Sequence, residues 1–215
     1  MRQTHEDRFS LGGMRLDEGA VARMEEYLAL ILKWNARINL TATRKPEEIL
    51  RRHFAESVFA AQQVPQRVKT LLDFGSGAGF PGIPIAICRP EIAVTLAESQ
   101  KKKAMFLREV VRTLGLKAEV WAGRVEAMAD PVAARQLAAG VPASRVFDAV
   151  TLRAVDKMAE ACELAVERLV PGGWLAVFAT RKTEAALDKL KGIRWGTSVM
   201  IPGSEQEILR SGLRV

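Results

Sequence analysis

Cysteine and histidine are scarce in this chain, with two of each among 215 residues. Cys88 and Cys162 stand alone on stretches with helical spacing. They read as small core residues in a reducing compartment, not as a disulfide framework. His5 and His53 are too few for a histidine-based metal centre, and no metal is expected. No apolar run approaches the roughly 20 residues of a membrane span, and no leader-type segment is recognisable. The expectation is a cytoplasmic protein without membrane contact. What is present is ordinary for a globular chain, with 48% apolar and 27% charged residues. Lys and Arg total 32 against 25 Asp and Glu, and the formal net charge of +7 mildly favours a polyanionic partner. The length allows one domain with a sizeable core, and no internal repeat or low-complexity run interrupts it. The expected organisation is a single, monomeric domain over 1–215, with a helical extension over 1–69 and an α/β core over 70–215.

The chain is organised around Leu71-Leu72-Asp73-Phe74-Gly75-Ser76-Gly77-Ala78-Gly79-Phe80-Pro81-Gly82. An apolar run ends in a carboxylate, a glycine-rich turn follows, and Ile83 to Ile87 opens a helix. Strand, loop and helix in this order place a nucleotide-type ligand at the turn. Gly77-x-Gly79-x-x-Gly82 formally matches a dinucleotide fingerprint, but its register is poor because the strand ends at Phe74. The better match is acid-x-Gly-x-Gly-x-Gly counted from Asp73. That pattern resembles the first motif of Rossmann-like methyltransferases, which use S-adenosylmethionine (SAM). A second apolar run, 91–98, ends in Glu98, near the spacing at which an acid accepts hydrogen bonds from ribose hydroxyls. A carboxylate suits a diol because it only accepts.

Other motifs make the resemblance more specific. Lys33-Trp34-Asn35, Asn39-Leu40-Thr41 and Arg52-His53-Phe54 with Ser57 precede the loop, whose ending is Pro81-Gly82-Ile83-Pro84. Glu98-Ser99, Lys102 or Lys103 with Phe106-Leu107, Gly123-Arg124-Val125-Glu126 and Arg153-Ala154-Val155 follow it. Together they resemble the small-subunit (16S) ribosomal RNA guanine-N7 methyltransferase family, also called glucose-inhibited division protein B. The resemblance implies a class I SAM-dependent methyltransferase with a seven-stranded, mostly parallel sheet. It implies SAM as cofactor, S-adenosylhomocysteine as product, and 16S ribosomal RNA or the small ribosomal subunit as partner. It also implies cofactor contacts at Asp73, Gly75, Ser76, Gly77, Gly79, Phe80, Glu98, Val125, Glu126 and Arg153, with Arg153 in a positioning role. Candidate RNA contacts are Arg51, Arg52, Lys101, Lys102, Lys103, Arg181 and Lys182. The chain departs from the family after its fifth core strand, where a lysine followed by glycine is expected and Thr180-Arg181-Lys182 stands instead.

Periodicity supplies the remaining elements. Val21, Met24, Leu28, Ile31 and Leu32 predict a helix from Asp17. Pro46 opens another, with Ile49, Leu50, Phe54, Val58 and Phe59 inward and Arg51, Arg52 and His53 outward. Residues 99–114 predict a helix capped by Ser99 and stopped by Gly115. Strands are expected at 118–122 and 147–152, and a short helix and loop at 130–144. A helix over 159–169, a turn at 171–173, a strand over 174–179 and a helix over 184–190 follow. Two terminal strands are expected near 197–201 and 207–215.

Absent motifs narrow the chemistry. No Asn/Asp-Pro-Pro-aromatic sequence of adenine amino methylation follows the 147–152 strand, and no cysteine nucleophile stands there for a pyrimidine carbon. Guanine N7 carries a lone pair and no proton, so its methylation needs no general base. Two rival readings share the glycine loop: a SAM methyltransferase acting on a small molecule or protein, and a nicotinamide-dependent oxidoreductase. A non-catalytic RNA-binding role rests on the basic charge alone.

Overall fold

The computed structural model describes residues 10–129 and 145–215. The expected helix and loop over 130–144 lie outside them. A two-residue hairpin, β1 (Ser10–Leu11) with β2 (Met14–Arg15), precedes the helices and was not legible in the sequence.

Helix α1 (Glu18–Asn35) starts where Asp17 caps it, Oδ1 accepting from the Ala20 N–H at 2.7 Å, which contributes about 1 kcal/mol. Its buried residues are Ala20, Met24, Tyr27, Ile31 and Asn35. The apolar stripe is thus rotated from the expected one: Val21, Leu28 and Leu32 are only half-buried. The next helical stretch is not one α-helix. It runs as α2 (Pro46–Glu48), a π turn (Ile49–Phe54) and α3 (Ala55–Gln63). A π turn inserts extra chain per turn and rotates the side chains that follow. His53 is therefore half-buried instead of outward, and Glu56 and Ser57 are buried.

The core alternates β3 (Thr70–Phe74), α4 (Gly82–Cys88), β4 (Ala93–Glu98), α5 (Lys101–Thr113), β5 (Ala118–Ala122), β6 (Phe147–Leu152), α6 (Met158–Glu167), β7 (Leu169–Thr180) and α7 (Arg181–Leu187). β8 (Ile193–Trp195), β9 (Val199–Met200) and β10 (Glu207–Arg214) close it. The sheet order is β5-β4-β3-β6-β7-β10-β8. β3 to β7 are parallel, and β10 runs antiparallel to β7. Eight strands replace the expected seven because the last position is split. β8 pairs with Gly212 to Arg214 and β9 with Ile208 and Leu209 of the same β10.

Successive β3 residues enter different cores, as the period of two requires. Leu71 joins α1, α3, α4 and α5, whereas Leu72 and Phe74 join α6 and α7. Leu71 and Leu72 are fully buried, each contributing about 1.5–3 kcal/mol by desolvation. Three local expectations are corrected. Helix α5 is preceded by Gln100, not Ser99, and has no side-chain cap. Pro171-Gly172-Gly173 is no turn between elements but a bulge inside β7, where the pairing to β6 slips between Phe147 and Ala149. Helix α7 begins at Arg181, earlier than expected, because Thr180 and Thr183 form a reciprocal cap.

Candidate active site

The order of the parallel strands reverses beside β3, between β4 and β6, and ligands of open α/β sheets bind outside the carboxyl ends at such a point. A cavity of about 1120 Å³ opens there. It exceeds the roughly 300–1,000 Å³ of an ordinary ligand pocket, so it has room for two reactants.

One wall follows β3 to β5. Gly75, Ser76, Gly77, Ala78 and Phe80 line it, with Glu98, Val125 and Glu126 beyond. Gly77 has φ +57, and a Cβ there would meet nothing closer than the Gly75 oxygen at 3.8 Å, so the backbone faces open space. Glu98 is 5% exposed. Its Oε2 accepts from the Gly77 N–H at 2.9 Å and its Oε1 from the Gln100 N–H at 2.6 Å. Each oxygen keeps a second lone pair for a ligand hydroxyl.

Asp73 and Gly79, both expected as cofactor contacts, do not line this cavity. Asp73 shares the face of Leu71 and lies beneath the loop, 1% exposed. It accepts from Thr151 Oγ1 at 3.0 Å and from the Gly82 N–H at 3.2 Å. Burial pushes its carboxyl up to about 6 against those hydrogen bonds. Gly79 is packed from behind, where a Cβ would meet the Tyr27 hydroxyl at 2.7 Å. Tyr27 is fully buried and donates to the Ala78 carbonyl at 2.5 Å, so α1 buttresses the loop. The Val125 and Glu126 carbonyls accept from Arg168 Nη2 at 2.8 and 3.2 Å. The Val125 side chain is buried against the cavity, and Glu126 lines it beside Val125.

The opposite wall comes from the helical extension: Leu40 to Lys45, Glu48, Arg52 and His53. Asn35, buried at the end of α1, holds its first part. Its amide nitrogen donates to the Thr41 and Thr43 carbonyls, and its oxygen accepts from the Leu40 and Thr41 N–H groups. Arg153, at the carboxyl end of β6, links the two walls. Its guanidinium pairs with Glu56, donates to the Arg52 and His53 carbonyls of the π turn at 3.4 and 3.5 Å, and lies 5.1 Å from the Phe178 ring centroid. Its Nη2 is 3.0 Å from His53 Nδ1. Burial, with Glu207 beside it, pushes the Glu56 carboxyl up to about 7 against the pull of Arg153. The His53 ring packs 5.1 Å from Phe80, which also meets Tyr27 and Phe54.

Of the cationic candidates, Arg52 and Lys103 line the cavity. Arg51, Lys101, Lys102, Arg181 and Lys182 are exposed and do not. Arg44, Lys45, Arg124 and Lys157 line it and were not among the candidates; Arg44, Lys45 and Lys157 carry no motif, and Arg124 sits in one that was read for its neighbours Val125 and Glu126. Cys162 is buried outside the cavity, and burial pushes its thiol up to about 11, so it is no nucleophile. Among the described residues no cluster of His, Cys, Asp and Glu could hold a metal ion. No described helix is long and apolar enough to cross a membrane.

The sequence model of one family, GidB, described as rRNA small subunit methyltransferase G, matches residues 20–194. The chain belongs to this family. It is 41% identical over 166 residues to ribosomal RNA small subunit methyltransferase G of Xanthomonas axonopodis pv. citri, covering 77% of this chain and 71% of that one. To the protein of the same description from Xanthomonas campestris pv. campestris (strain B100) it is 38% identical over 203 residues, covering 92% and 88%. Among solved structures, an O-methyltransferase from Bacillus cereus in complex with SAH matches with TM-score 0.57 at 15% identity, over 88% of this chain and 91% of that chain. That likeness is one of fold. The fold is that of class I SAM-dependent methyltransferases, and the protein is a methyltransferase.

Proposed function

We propose that this enzyme, which takes its methyl group from SAM, delivers it to N7 of a guanine in 16S ribosomal RNA. The observation that carries the reading is the two-walled cavity. One wall is glycine backbone plus a buried carboxylate, and the other is a polar and cationic face from the helical extension. The first wall fits SAM. The open backbone at Gly75 to Gly77 suits the amino-acid end, Glu98 the ribose diol, and the buried Val125 side chain the adenine face. Phe80 and Arg153 border the reacting centre, while Asp73 and Gly79 support the loop from behind.

When bound, SAM supplies an electrophilic methyl that in-line displacement moves to the N7 lone pair, breaking the carbon–sulfur bond. No proton is transferred, so the site needs alignment and not an acid–base pair. Arg153 provides it by fastening the π turn to the end of β6. Arg44, Lys45, Arg52 and Lys103 hold RNA phosphates at the rim, a contribution that weakens with salt. Arg51, Lys101, Lys102, Arg181 and Lys182 act, if they touch RNA, outside the cavity. The Hoogsteen edge bearing N7 is hidden in the deep groove of regular A-form RNA, so a loop or distorted guanine is the target.

The test is methyl transfer from labelled SAM to small-subunit ribosomal RNA, free and in assembled particles, with chain cleavage at N7-methylguanine. Label at one guanine, cleaved by that chemistry, is expected. Label at another atom or in another class of molecule would keep the methyltransferase and discard this substrate.

A further inference from the structure

His53 is the only histidine among the described residues, and its environment fixes which ring nitrogen carries a proton. We propose that His53 selects guanine at the target position by donating a hydrogen bond from Nε2–H to O6, the atom beside N7. The proposal rests on the guanine-N7 reading above and deepens it.

Three observations carry it. First, His53 lines the cavity where the helical extension meets the glycine loop, and two contacts hold its ring. Phe80 packs against one face at 5.1 Å with 30° between the planes, and the Arg153 guanidinium sits 3.0 Å from Nδ1. Second, a guanidinium only donates hydrogen bonds. Nδ1 must therefore accept, and the proton of the neutral ring is on Nε2. Burial and the nearby Arg153 and Arg52 charges push the imidazole down to about 4, against Glu207, so the ring is neutral at physiological pH. Third, most of the Arg153 guanidinium is already engaged in holding the π turn. Its terminal nitrogens already meet Glu56, the Arg52 and His53 carbonyls and the His53 ring.

The chemistry of the base matches this donor. On its Hoogsteen edge guanine shows two acceptors, N7 and O6, whereas adenine shows N7 and an amino donor. N7 must be left free to attack, so O6 is the remaining handle. A fixed N–H beside it accepts guanine and opposes the adenine amino group donor to donor. Neutrality matters because methylation leaves a positive charge on the purine, which an imidazolium would repel. The same charge makes O6 a poorer acceptor as the reaction proceeds. The contact therefore acts in selection and alignment of the base, and in kcat/KM more than in stabilising developing charge.

The test replaces the mapped target guanine in the ribosomal RNA by 2-aminopurine, which keeps N7 and lacks O6. It compares kcat/KM for the two RNAs in the wild type and in two donor-less variants, His53→Phe and His53→Leu. Intrinsic reactivity of the two bases cancels in the ratio of ratios. The wild type is expected to lose about 10- to 100-fold more on 2-aminopurine than the donor-less variants do, the range for one buried donor left unpaired. His53→Gln, whose amide also donates, is expected to restore part of the preference. SAM binding and thermal unfolding report folding, and the two variants guard against one failing to fold. An equal preference for guanine in the wild type and in a folded donor-less variant would overturn the proposal. Failure of the wild type to produce N7-methylguanine at any position would overturn the underlying reading instead.

Discussion

The glycine loop and the π turn line the same cavity, yet they are built in opposite ways. The loop is one contiguous stretch, and part of its support is internal, with Asp73 bonded to Gly82 across nine residues. The π turn is held by residues far along the chain. Glu56 and Arg153 are 97 positions apart, and Arg52 and Glu207 are 155 apart, their pair 3.4 Å long. In the proposed reading, cofactor recognition would use backbone and short-range geometry, which a motif can record, and recognition of the second substrate would use side chains that only the tertiary fold brings together.

Breaking the link between the two walls has the largest expected effect. Arg153→Ala should lower methyl transfer by about 100-fold or more, the scale of a misaligned reaction. Thermal unfolding should shift by only a few degrees, because Glu56, already pushed up to about 7, takes up a proton instead of remaining a bare buried charge. Equal activity in the variant would remove Arg153 from the site.

Two glycines sharpen the comparison inside the loop. A Cβ on Gly82 would overlap Leu96 and lie 2.7 Å from Asp73 Oδ2, so Gly82→Ala should cost about 1–3 kcal/mol of stability by overpacking. Gly77→Ala meets open space. It should cost only about 1–2 kcal/mol for its positive φ, yet weaken SAM binding measured by calorimetry more than Gly82→Ala does among folded protein. Equal binding losses would mean that the loop acts only as a scaffold.

Tyr27→Phe tests the support that crosses from the extension to the loop. It leaves the buried Ala78 carbonyl without its donor, which should cost about 1–2 kcal/mol and raise KM for SAM with little change in kcat. The smallest effect is a pH slope. Burial raises the Glu56 carboxyl to about 7 in the fold, from its ordinary 4.5. A raised folded value gives stability that is fully present below the unfolded value and is lost as pH rises through the folded one. The wild type should therefore lose stability between about pH 4.5 and 7 relative to Glu56→Gln, read from paired melting curves. A flat difference would show that Glu56 is ionised throughout.

The same contrast explains what the sequence could tell. The glycine run, the terminal Glu98 and Arg153 after its strand were all legible because each sits at a fixed offset from a strand end. Tyr27 was hidden because aliphatic spacing defined the helix stripe, while the buried face also takes a hydroxyl that needs the Ala78 carbonyl. His53 was misplaced because an α-helical period was applied across a π turn, whose carbonyls accept from Arg153 of β6. The burial of Asp73 was not foreseen for a simpler reason. Strand alternation places it on the Leu71 face, under the loop and away from the cavity.

The most direct test of the two-walled account is a crystal structure of the protein with S-adenosylhomocysteine. The account places the adenine against Val125, the ribose hydroxyls on Glu98 and the amino-acid end at Gly75 to Gly77, with the wall of Arg52 and His53 left open. Density for the nucleoside along Arg52 and His53 would contradict it.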